Sequence, residues 1–431
     1  MKFIIGLSLG LIVSSANCFA QCDGAPGAVR QNPDLSQGAF VATTAYVDVN
    51  AYTSSGSEVC GLAKVNGEAH ILGASIIKDN VFISSEAFPD HIVIENSIVE
   101  GSSKIFGSVQ VKNGSTVQGS AILSDNVLVQ GDSTQAGSGP FISESAMVSY
   151  NAQVLNTAVV AGNALVKDNA VIKDNASVYG KATVFGGAEV SGDASVYEKA
   201  QVSVDAKVMD EAKVYGQAEV VGYAHIEKEA KVHGFAHVGL DSTVSDQAEV
   251  YGHAVILTEG SDPREFGIFK NAKVFDRAEV RGSSVISDKA SVNGDAIIEN
   301  SMILNKAIVT EGPTITNAEV ADNAIVKGKA QVLAGRVYED AQVYGEVRME
   351  NGEPEVFGSA QLFQNAVLEG VASVSGRSLV YGEAIVKGIV NQRGQVYGTA
   401  TVEASGEVSG VARVFGTAVI TDIVEDGEYQ N

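Results

Sequence analysis

Between residues 146 and 256 a small residue recurs every six positions, and an aliphatic residue follows it two places later. The series begins with Ala146 and Val148, and only Ser242 replaces an alanine in it. An α-helix repeats every 3.6 residues and cannot produce this period. In a short extended segment side chains alternate, so both members of each pair point to one side. Turn-forming residues such as Gly180 fill the remaining places. The pattern predicts a coil of short parallel strands with Ala and Val stacked inside.

A second, longer period lies within the first. Among the outward residues that directly follow the aliphatic position, every third one is aromatic: Tyr179, Tyr197, Tyr215, His233 and Tyr251. A ladder at this spacing places residue i over residue i+18, so one coil contains three six-residue units. We therefore predict an all-β fold, a single-stranded three-sided parallel β-helix of roughly twenty coils at about 4.8 Å per layer.

The stretches VYGKATVFGGAEVSGDASV and VYGQAEVVGYAHIEKEAKV resemble the bacterial hexapeptide-repeat superfamily. The resemblance covers most of the chain and implies a left-handed β-helix. The superfamily includes acyltransferases, sugar-nucleotide enzymes, γ-class carbonic anhydrases and long solenoids without known chemistry. The resemblance therefore implies the fold and leaves the function open.

The first twenty residues have the features of a secretory signal. Lys2 precedes an apolar run, and Cys18-Phe19-Ala20 has the form of a cleavage site. A retained anchor and a lipoprotein modified at Cys18 are alternative interpretations, although the run is short for a membrane span. We expect export to the periplasm, the cell surface or the extracellular space.

The remaining chain divides into three predicted segments. Residues 21–38 form an N-terminal lead or cap, residues 39–424 form the solenoid, and residues 425–431 form an acidic tail that caps the last coil or frays from it. Turn-forming composition predicts loops near 131–140 and 257–271. Two cysteines, Cys22 and Cys60, follow the signal, and in an oxidising compartment we expect a disulfide that ties the lead to the first coils. Two unpaired thiols are the alternative.

The net charge is −23, and the chain has no basic cluster. This composition argues against nucleic acid and against anionic membrane surfaces as partners. We expect neither a cofactor nor an integral membrane segment.

Four of the six histidines, at 225, 233, 237 and 253, fall close together in sequence. The γ-class carbonic anhydrases place three histidines on such a helix. Here the positions differ modulo 18, so we predict no three-histidine metal site within one chain. A site between subunits stays open. His70 and His91 are isolated.

Acyltransferases of the superfamily combine a catalytic histidine with a protruding loop. His253 precedes the 257–271 loop, which makes His233 and His253 weak catalytic candidates. The chain has no basic phosphate cradle and no second catalytic domain that the sequence reveals.

The aromatic ladder is the candidate binding strip. It suits stacking of carbohydrate or contact with another subunit, while mutual stacking of the rings within the coil is the structural alternative. Asp/Asn turns such as Asp168-Asn169 and Asp174-Asn175 offer calcium ligands, but turn chemistry explains them without a metal.

Two functional hypotheses result. The first is an exported non-catalytic structural or binding solenoid of the envelope, surface or a fibre, with protein or carbohydrate partners and a homotrimeric or end-to-end assembly. The second is a trimeric hexapeptide-type acyltransferase or γ-carbonic-anhydrase-like enzyme with a site near the 257–271 loop.

Overall fold

The computed structural model describes residues 21–85, 91–133, 135, 137–260 and 265–431. The predicted signal, 1–20, lies outside the described residues, as does the segment 86–90. The described chain is all-β, with three parallel sheets stacked as a solenoid of about 21 coils. A short 3-10 turn, Gln21–Gly24, precedes the strands. The prediction of a three-sided parallel solenoid is confirmed.

Each coil adds one strand to each of three faces, which we name the first, second and third face in chain order. Strands of one face pair in parallel between coils, as in Ser177↔Ser195, Thr183↔Gln201 and Glu189↔Lys207. In the regular stretch from 146 to 256 the small residue before each strand and the aliphatic residue within it point inward and are buried, as at Ala182 and Val184. Burial of each such valine is worth about 1.5–3 kcal/mol, so the core is a long column of small, repeated contributions.

At its N-terminal end the first face carries the one antiparallel strand of the described chain, Gly27–Gln31. Its parallel strands are Gln37–Ala42, Glu58–Val59, Ile76–Ile77, Ile98–Val99, Thr116–Val117, Phe141–Ile142, Val159–Val160, Ser177–Val178, Ser195–Val196, Lys213–Val214, Lys231–Val232, Glu249–Val250, Lys273–Val274, Ser291–Val292, Ile308–Glu311, Ile325–Gly328, Gln342–Val343, Gln361–Leu362, Leu379–Val380, Gln395–Val396, Arg413–Phe415 and Glu428–Gln430.

The second face follows one turn later in each coil. Its strands are Tyr46–Val47, Lys64–Asn66, Phe82–Ser85, Lys104–Gly107, Ile122–Leu123, Met147–Val148, Leu165–Val166, Thr183–Val184, Gln201–Val202, Glu219–Val220, His237–Leu240, Val255–Thr258, Glu279–Gly282, Ile297–Glu299, Thr314–Thr316, Gln331–Val332, Arg348–Glu350, Val367–Glu369, Ile385–Val386, Thr401–Val402 and Val419–Ile420.

The third face completes the triangle. Its strands are Tyr52–Thr53, His70–Leu72, Val93–Glu95, Gln110–Lys112, Leu128–Gln130, Gln153–Leu155, Val171–Ile172, Glu189–Val190, Lys207–Val208, His225–Ile226, Thr243–Val244, Gly267–Ile268, Val285–Ile286, Met302–Ile303, Ala318–Val320, Gly335–Val337, Glu355–Val356, Ser373–Val374, Ile389–Val390, Glu407–Val408 and Ile423–Val424.

The two ends of the solenoid are closed differently. At the N-terminal end the antiparallel strand covers the first face, and Asn32 covers the third: its Nδ2 donates to the Thr53 carbonyl (2.8 Å), and its Oδ1 accepts the Thr53 N–H (3.0 Å). At the C-terminal end Glu428–Gln430 pairs with Arg413–Phe415, and Tyr429 packs against the core. This strand therefore covers the first face at that end.

The three corners of the triangle differ in regularity. From the first to the second face the outward strand residues are always six apart, from Phe40 and Tyr46 to Arg413 and Val419. We call this edge the 1–2 corner. The 2–3 corner varies from four residues, between Ile385 and Ile389, to twelve, between Val255 and Gly267. Insertions and deletions are thus confined to the other two corners.

The predicted loops lie at those two irregular corners. Residues 131–140 connect Leu128–Gln130 to Phe141–Ile142 at the 3–1 corner. The second loop is narrower than the predicted 257–271, because strands extend to Thr258 and begin again at Gly267. Leu257 and Thr258 pair with Arg281 and Gly282 and so continue the ladder.

Candidate functional site

The predicted aromatic strip lies on the 1–2 corner. Tyr179, Tyr197, Tyr215, His233 and Tyr251 stack in one column, with ring centroids 4.6–5.1 Å apart and planes within 7° of parallel. The rings stand on successive coils because each follows the buried aliphatic residue of a first-face strand. The rings therefore follow the axial spacing of the solenoid itself.

The column is longer than the sequence pattern indicated. Phe275 stacks on Tyr251 (4.8 Å), although the 2–3 loop lengthens the coil between them. We call the six rings from Tyr179 to Phe275 the lower stack. Further along the same corner a second column, the upper stack, has ring centroids 4.8–5.2 Å apart and consists of Tyr344, Phe363, Tyr381, Tyr397 and Phe415.

The upper stack does not keep the fixed spacing of the five rings from Tyr179 to Tyr251, because its coils vary in length. The step from Tyr344 to Phe363 is longer in sequence than the step from Tyr381 to Tyr397. A signal was nevertheless present, since Val343-Tyr344-Gly345 and Val396-Tyr397-Gly398 repeat the turn Val178-Tyr179-Gly180.

Between the two stacks the ring position is occupied by other residues. These are Asn293, Thr310 and Lys327. The Lys327 ammonium lies 5.3 Å from the Tyr344 ring centre. A shallow groove of about 530 Å³ lies on the corner here, and Asp295, Lys329 and Glu346 are among the residues that line it.

Mutual stacking decides what the rings offer to a partner. Each ring inside a stack has both faces covered by its neighbours, so only its edge points outward. A sugar that stacks on an aromatic side chain needs an open face, and of the lower stack's inner rings none provides one. The strip therefore presents a row of ring edges, with Tyr179 at its lower end 40% exposed. Burial raises the pKa of the Tyr197 phenol to about 12.

An ion-pair network joins the lower stack to the first face. Glu249 Oε1 lies 3.1 Å from His233 Nε2, and its Oε2 lies 3.0 Å from the Lys273 ammonium. Burial alone would raise the pKa of Glu249, but the hydrogen bonds from Lys273 and His233 outweigh it and lower that pKa. This network fixes the orientation of the His233 ring between Tyr215 and Tyr251.

The turn residue two places after each ring forms an exposed column beside the stacks. Along the lower stack this column reads Lys181, Lys199, Gln217, Phe235, His253 and Arg277. Along the upper stack it reads Glu346, Asn365, Glu383, Thr399 and Thr417. Phe235 and His253 add a second ring contact, 4.7 Å between centroids. The two stacks thus share one geometry and carry different charges.

The four clustered histidines do not meet. His233 and His253 lie on the 1–2 corner, His237 lies on the second face with Nδ1 3.2 Å from Glu219 Oε2, and His225 lies on the third face. His253, the weak catalytic candidate beside the loop, has its ring stacked on Phe235.

The two histidines that are isolated in sequence do meet in the fold. His91 leads into the third-face strand that pairs with the strand of His70, and their ring centres lie 4.2 Å apart. Burial of the His70 ring is the larger cause that lowers the pKa of His70, and the nearby His91 is the second. Stacking between coils therefore brings these rings together, which their positions in the sequence did not indicate.

Cys22 and Cys60 are joined by a disulfide across 38 residues. The Cys22 N–H donates to Glu58 Oε2 (2.9 Å), which places the carboxylate beside the bridge. Within the described part of the chain these three residues form the one group of three such side chains with ligand atoms within 4.8 Å of one another. Since both sulfurs are used in the bridge, no thiolate is left there for a metal.

The Asp/Asn turns are occupied by hydrogen bonds between coils. The Asp168 carboxylate accepts the Gly186 N–H (3.3 Å), and the Asp174 carboxylate accepts the Gly192 N–H (3.1 Å). Each of these carboxylates therefore satisfies a backbone donor of the next coil. Their arrangement agrees with turn chemistry.

A second shallow groove, of about 510 Å³, lies on the third face. It lies where the coils are shorter than in the regular stretch, and Asn300, Asn317, Glu319 and Arg336 are among its lining residues. Arg336 Nε is 3.5 Å from Glu319 Oε2, so its charge is directed to its neighbour. The groove is distant in sequence from His233 and His253.

In the described residues no helix is long and apolar enough to cross a membrane. No protein-family model matches the chain. No curated protein matches it either. The fold and the aromatic corner are therefore the features that bear on the function of this chain.

Proposed function

We propose that the protein is an exported, non-catalytic structural rod that contacts partners along its 1–2 corner. One observation carries the proposal: this corner keeps its six-residue turn through the whole described solenoid and presents two columns of stacked rings along it. Loops interrupt both other corners. A corner without loops suits contact with an extended surface.

The proposal includes two further points that come from the sequence. Residues 1–20 act as a cleaved secretory signal, which directs the chain to the periplasm, the cell surface or the extracellular space. The repeats belong to the left-handed hexapeptide type, in a long form that lacks the catalytic site of the enzymes. The separate positions of His225, His233, His237 and His253 support this choice over a transferase or an anhydrase.

The test combines fractionation with measurements on the purified protein. We expect the chain outside the cytoplasm with Gln21 as its first residue, and a purified sample without stoichiometric metal. A cytoplasmic protein that keeps residues 1–20 would contradict export. A metal-bearing trimer that loses metal when His233 or His253 is replaced would establish the enzymatic alternative instead.

A further inference from the structure

The turn and first-face residues that flank the two stacks carry opposite net charge. Six cationic residues flank the lower stack on the turns and the first face: Lys181, Lys199, Lys213, Lys231, Lys273 and Arg277. Three acidic residues, Glu198, Glu249 and Asp276, lie among them, which leaves +3. The upper stack is flanked by Glu346 and Glu383 against Arg413, which leaves −1. The second face adds Glu219 and Glu279 beside the lower stack and Arg348 beside the upper one, so the difference in charge lies in the turns and the first face.

Ion pairs within the chain account for some of these charges. Arg277 Nε lies 2.6 Å from Asp295 Oδ1, and Arg413 Nη1 lies 3.4 Å from Glu428 Oε1. The difference between the stacks therefore depends mainly on the lysines beside the lower rings and on the glutamates beside the upper ones.

We infer that the 1–2 corner binds a second copy of this chain, side by side and antiparallel. This inference rests on the proposed structural function and names its partner. In an antiparallel pair the lower stack of each copy faces the upper stack of the other. A two-fold axis then relates the copies, and one pair of surfaces is used twice in a closed interface.

The charges also select a register for the pair. A two-fold axis across the rods keeps the exposed turn columns on the same side of the contact. When Lys181 of one copy lies opposite Glu383 of the other, Lys199 lies within one coil of both Glu383 and Glu346. The same register places Arg277 opposite Asp295 of the other copy, at the centre of the contact.

The length of the strip sets how wide the contact has to be. In this register the copies overlap over most of the strip from Tyr179 to Phe415, which is roughly 50 Å at one ring position per coil. To bury the roughly 800 Å² per partner of a standard interface, a contact of this length has to be about 16 Å wide. The constant six-residue turns leave no loop on this corner to hold the copies apart.

The chemistry matches an interface as well. Half-buried Tyr and Phe edges lie in the middle of the strip, and charged turn residues lie at its side, which is the composition expected of an interface centre and rim. Rings whose faces are already covered offer flat edges that a second row of edges can pack against.

The parallel arrangement is less favourable on the same residues. With the copies side by side in the same direction and in register, each lower stack would face a lower stack. The two-fold axis would then run along the rods and place the turn column of one copy opposite the first face of the other, so Lys181 and Lys199 would lie opposite Ser177 and Ser195. That orientation loses the complementary contacts with the glutamates of the upper stack, which favours the antiparallel pair.

Charge reversal tests the inference on the full chain. Light scattering at low ionic strength should give a dimer that weakens as salt is added. Reversal of one column, Lys181→Glu with Lys199→Glu, should raise the dimer Kd about 100-fold, because attraction becomes repulsion at both ends of the pair. Reversal of the other, Glu346→Lys with Glu383→Lys, should do the same. Lys207→Glu with Lys289→Glu, away from the 1–2 corner, is the matched control and should leave the Kd unchanged.

Mixing the two double variants of the corner is the decisive step. In a mixed antiparallel pair every reversed column meets a complementary one, so heterodimers should form where neither variant dimerises alone. Thermal melting of each variant shows that it is folded. A wild-type monomer at all concentrations, a failure of mixing to restore dimers, or an equal effect of the control would overturn the inference. A metal-free monomer would leave the proposed rod function in place, whereas a metal-bearing trimer would remove both.

Discussion

The 1–2 corner and the 2–3 corner are made by the same chain from the same kind of turn, yet only one of them tolerates change. At the 2–3 corner the separation between the outward strand residues of the two faces varies from four to twelve residues. Throughout the described coils the 1–2 corner keeps one length, and it carries both ring stacks. Turns of equal length also bond from coil to coil, as where the Gln217 N–H donates to the Gly234 carbonyl (2.7 Å). Because the ring stacks and these hydrogen bonds need the same turn in every coil, the 1–2 corner cannot vary in length.

A one-residue insertion should show the difference between the two corners most strongly. One serine inserted after Gly216 would displace Tyr215 or Gln217 from its column and remove ring contacts and inter-coil hydrogen bonds on both sides. We expect a loss of about 4 kcal/mol in the free energy of unfolding. The same insertion after Gly222, in the 2–3 turn of that coil, should cost less than half as much. Urea titrations of the two variants measure the difference, and equal losses would contradict the distinction between the corners.

Replacement of one turn glycine by alanine should also distinguish the two corners, by a smaller difference in the free energy of unfolding. Gly216 has φ +76°, and a Cβ there would lie 2.8 Å from the Gly234 nitrogen. Gly370, in a 2–3 turn, has φ +68° and nothing within 4 Å of such an atom. Gly370→Ala should cost about 1 kcal/mol for the left-handed backbone alone, and Gly216→Ala about 2 kcal/mol.

The reason for the difference is an adjustment of the backbone. Glu198 stands in the same column as Gly216 at φ 60°, so a side chain fits there once the turn has moved. The extra cost of Gly216→Ala is the cost of that movement against the next coil. Thermal unfolding of the two variants checks the order, and a Gly370→Ala variant at least as unstable as Gly216→Ala would reverse it.

Removal of one ring should have an effect of similar or smaller size. Tyr215 stacks on Tyr197 (4.9 Å) and His233 (4.6 Å), so Tyr215→Leu should cost about 2 kcal/mol. Phe185 at the 2–3 corner has the Lys167 ammonium 5.2 Å from its ring centre, and Phe185→Leu should cost under about 1 kcal/mol. Tyr215→Phe keeps both ring contacts and serves as the control. A Tyr215→Leu variant as stable as Tyr215→Phe would show that the stack contributes nothing beyond burial.

The smallest expected effect is in alkaline solution. Burial in the stack raises the pKa of Tyr197 to about 12, above the ordinary value of 10.0. The folded state then holds this proton more tightly than the unfolded state. Its contribution to stability is complete below pH 10 and falls as the pH rises toward 12. Ultraviolet titration of the native protein, compared with Tyr197→Phe, should show one tyrosine fewer ionising near pH 12. A difference near pH 10 would contradict the shift.

The contacts that the sequence predicts are those that repeat at a fixed interval along the chain. The Ala-x-Val unit dictates which residues point inward, because alternation in a strand is local, and Ala182 and Val184 lie where the period put them. The strict spacing of Tyr179, Tyr197 and Tyr215 likewise predicted their alignment along one edge. The upper stack was missed because its alignment depends on coil lengths, which change at another corner.

The all-β class, the three-sided coil, the core and the alignment of the rings from Tyr179 to Tyr251 follow from the amino-acid sequence alone. Each of these follows from a repeated local rule, in which one six-residue unit dictates its own turn and its own inward side chains. The three-dimensional fold is needed to see which residues share an edge beyond the regular stretch. It brought Phe275 into the same column as Tyr251 across a loop, closed the rings face to face, and set basic and acidic turns on one corner. These features depend on the sum of all insertions along the chain, and no local pattern contains that sum.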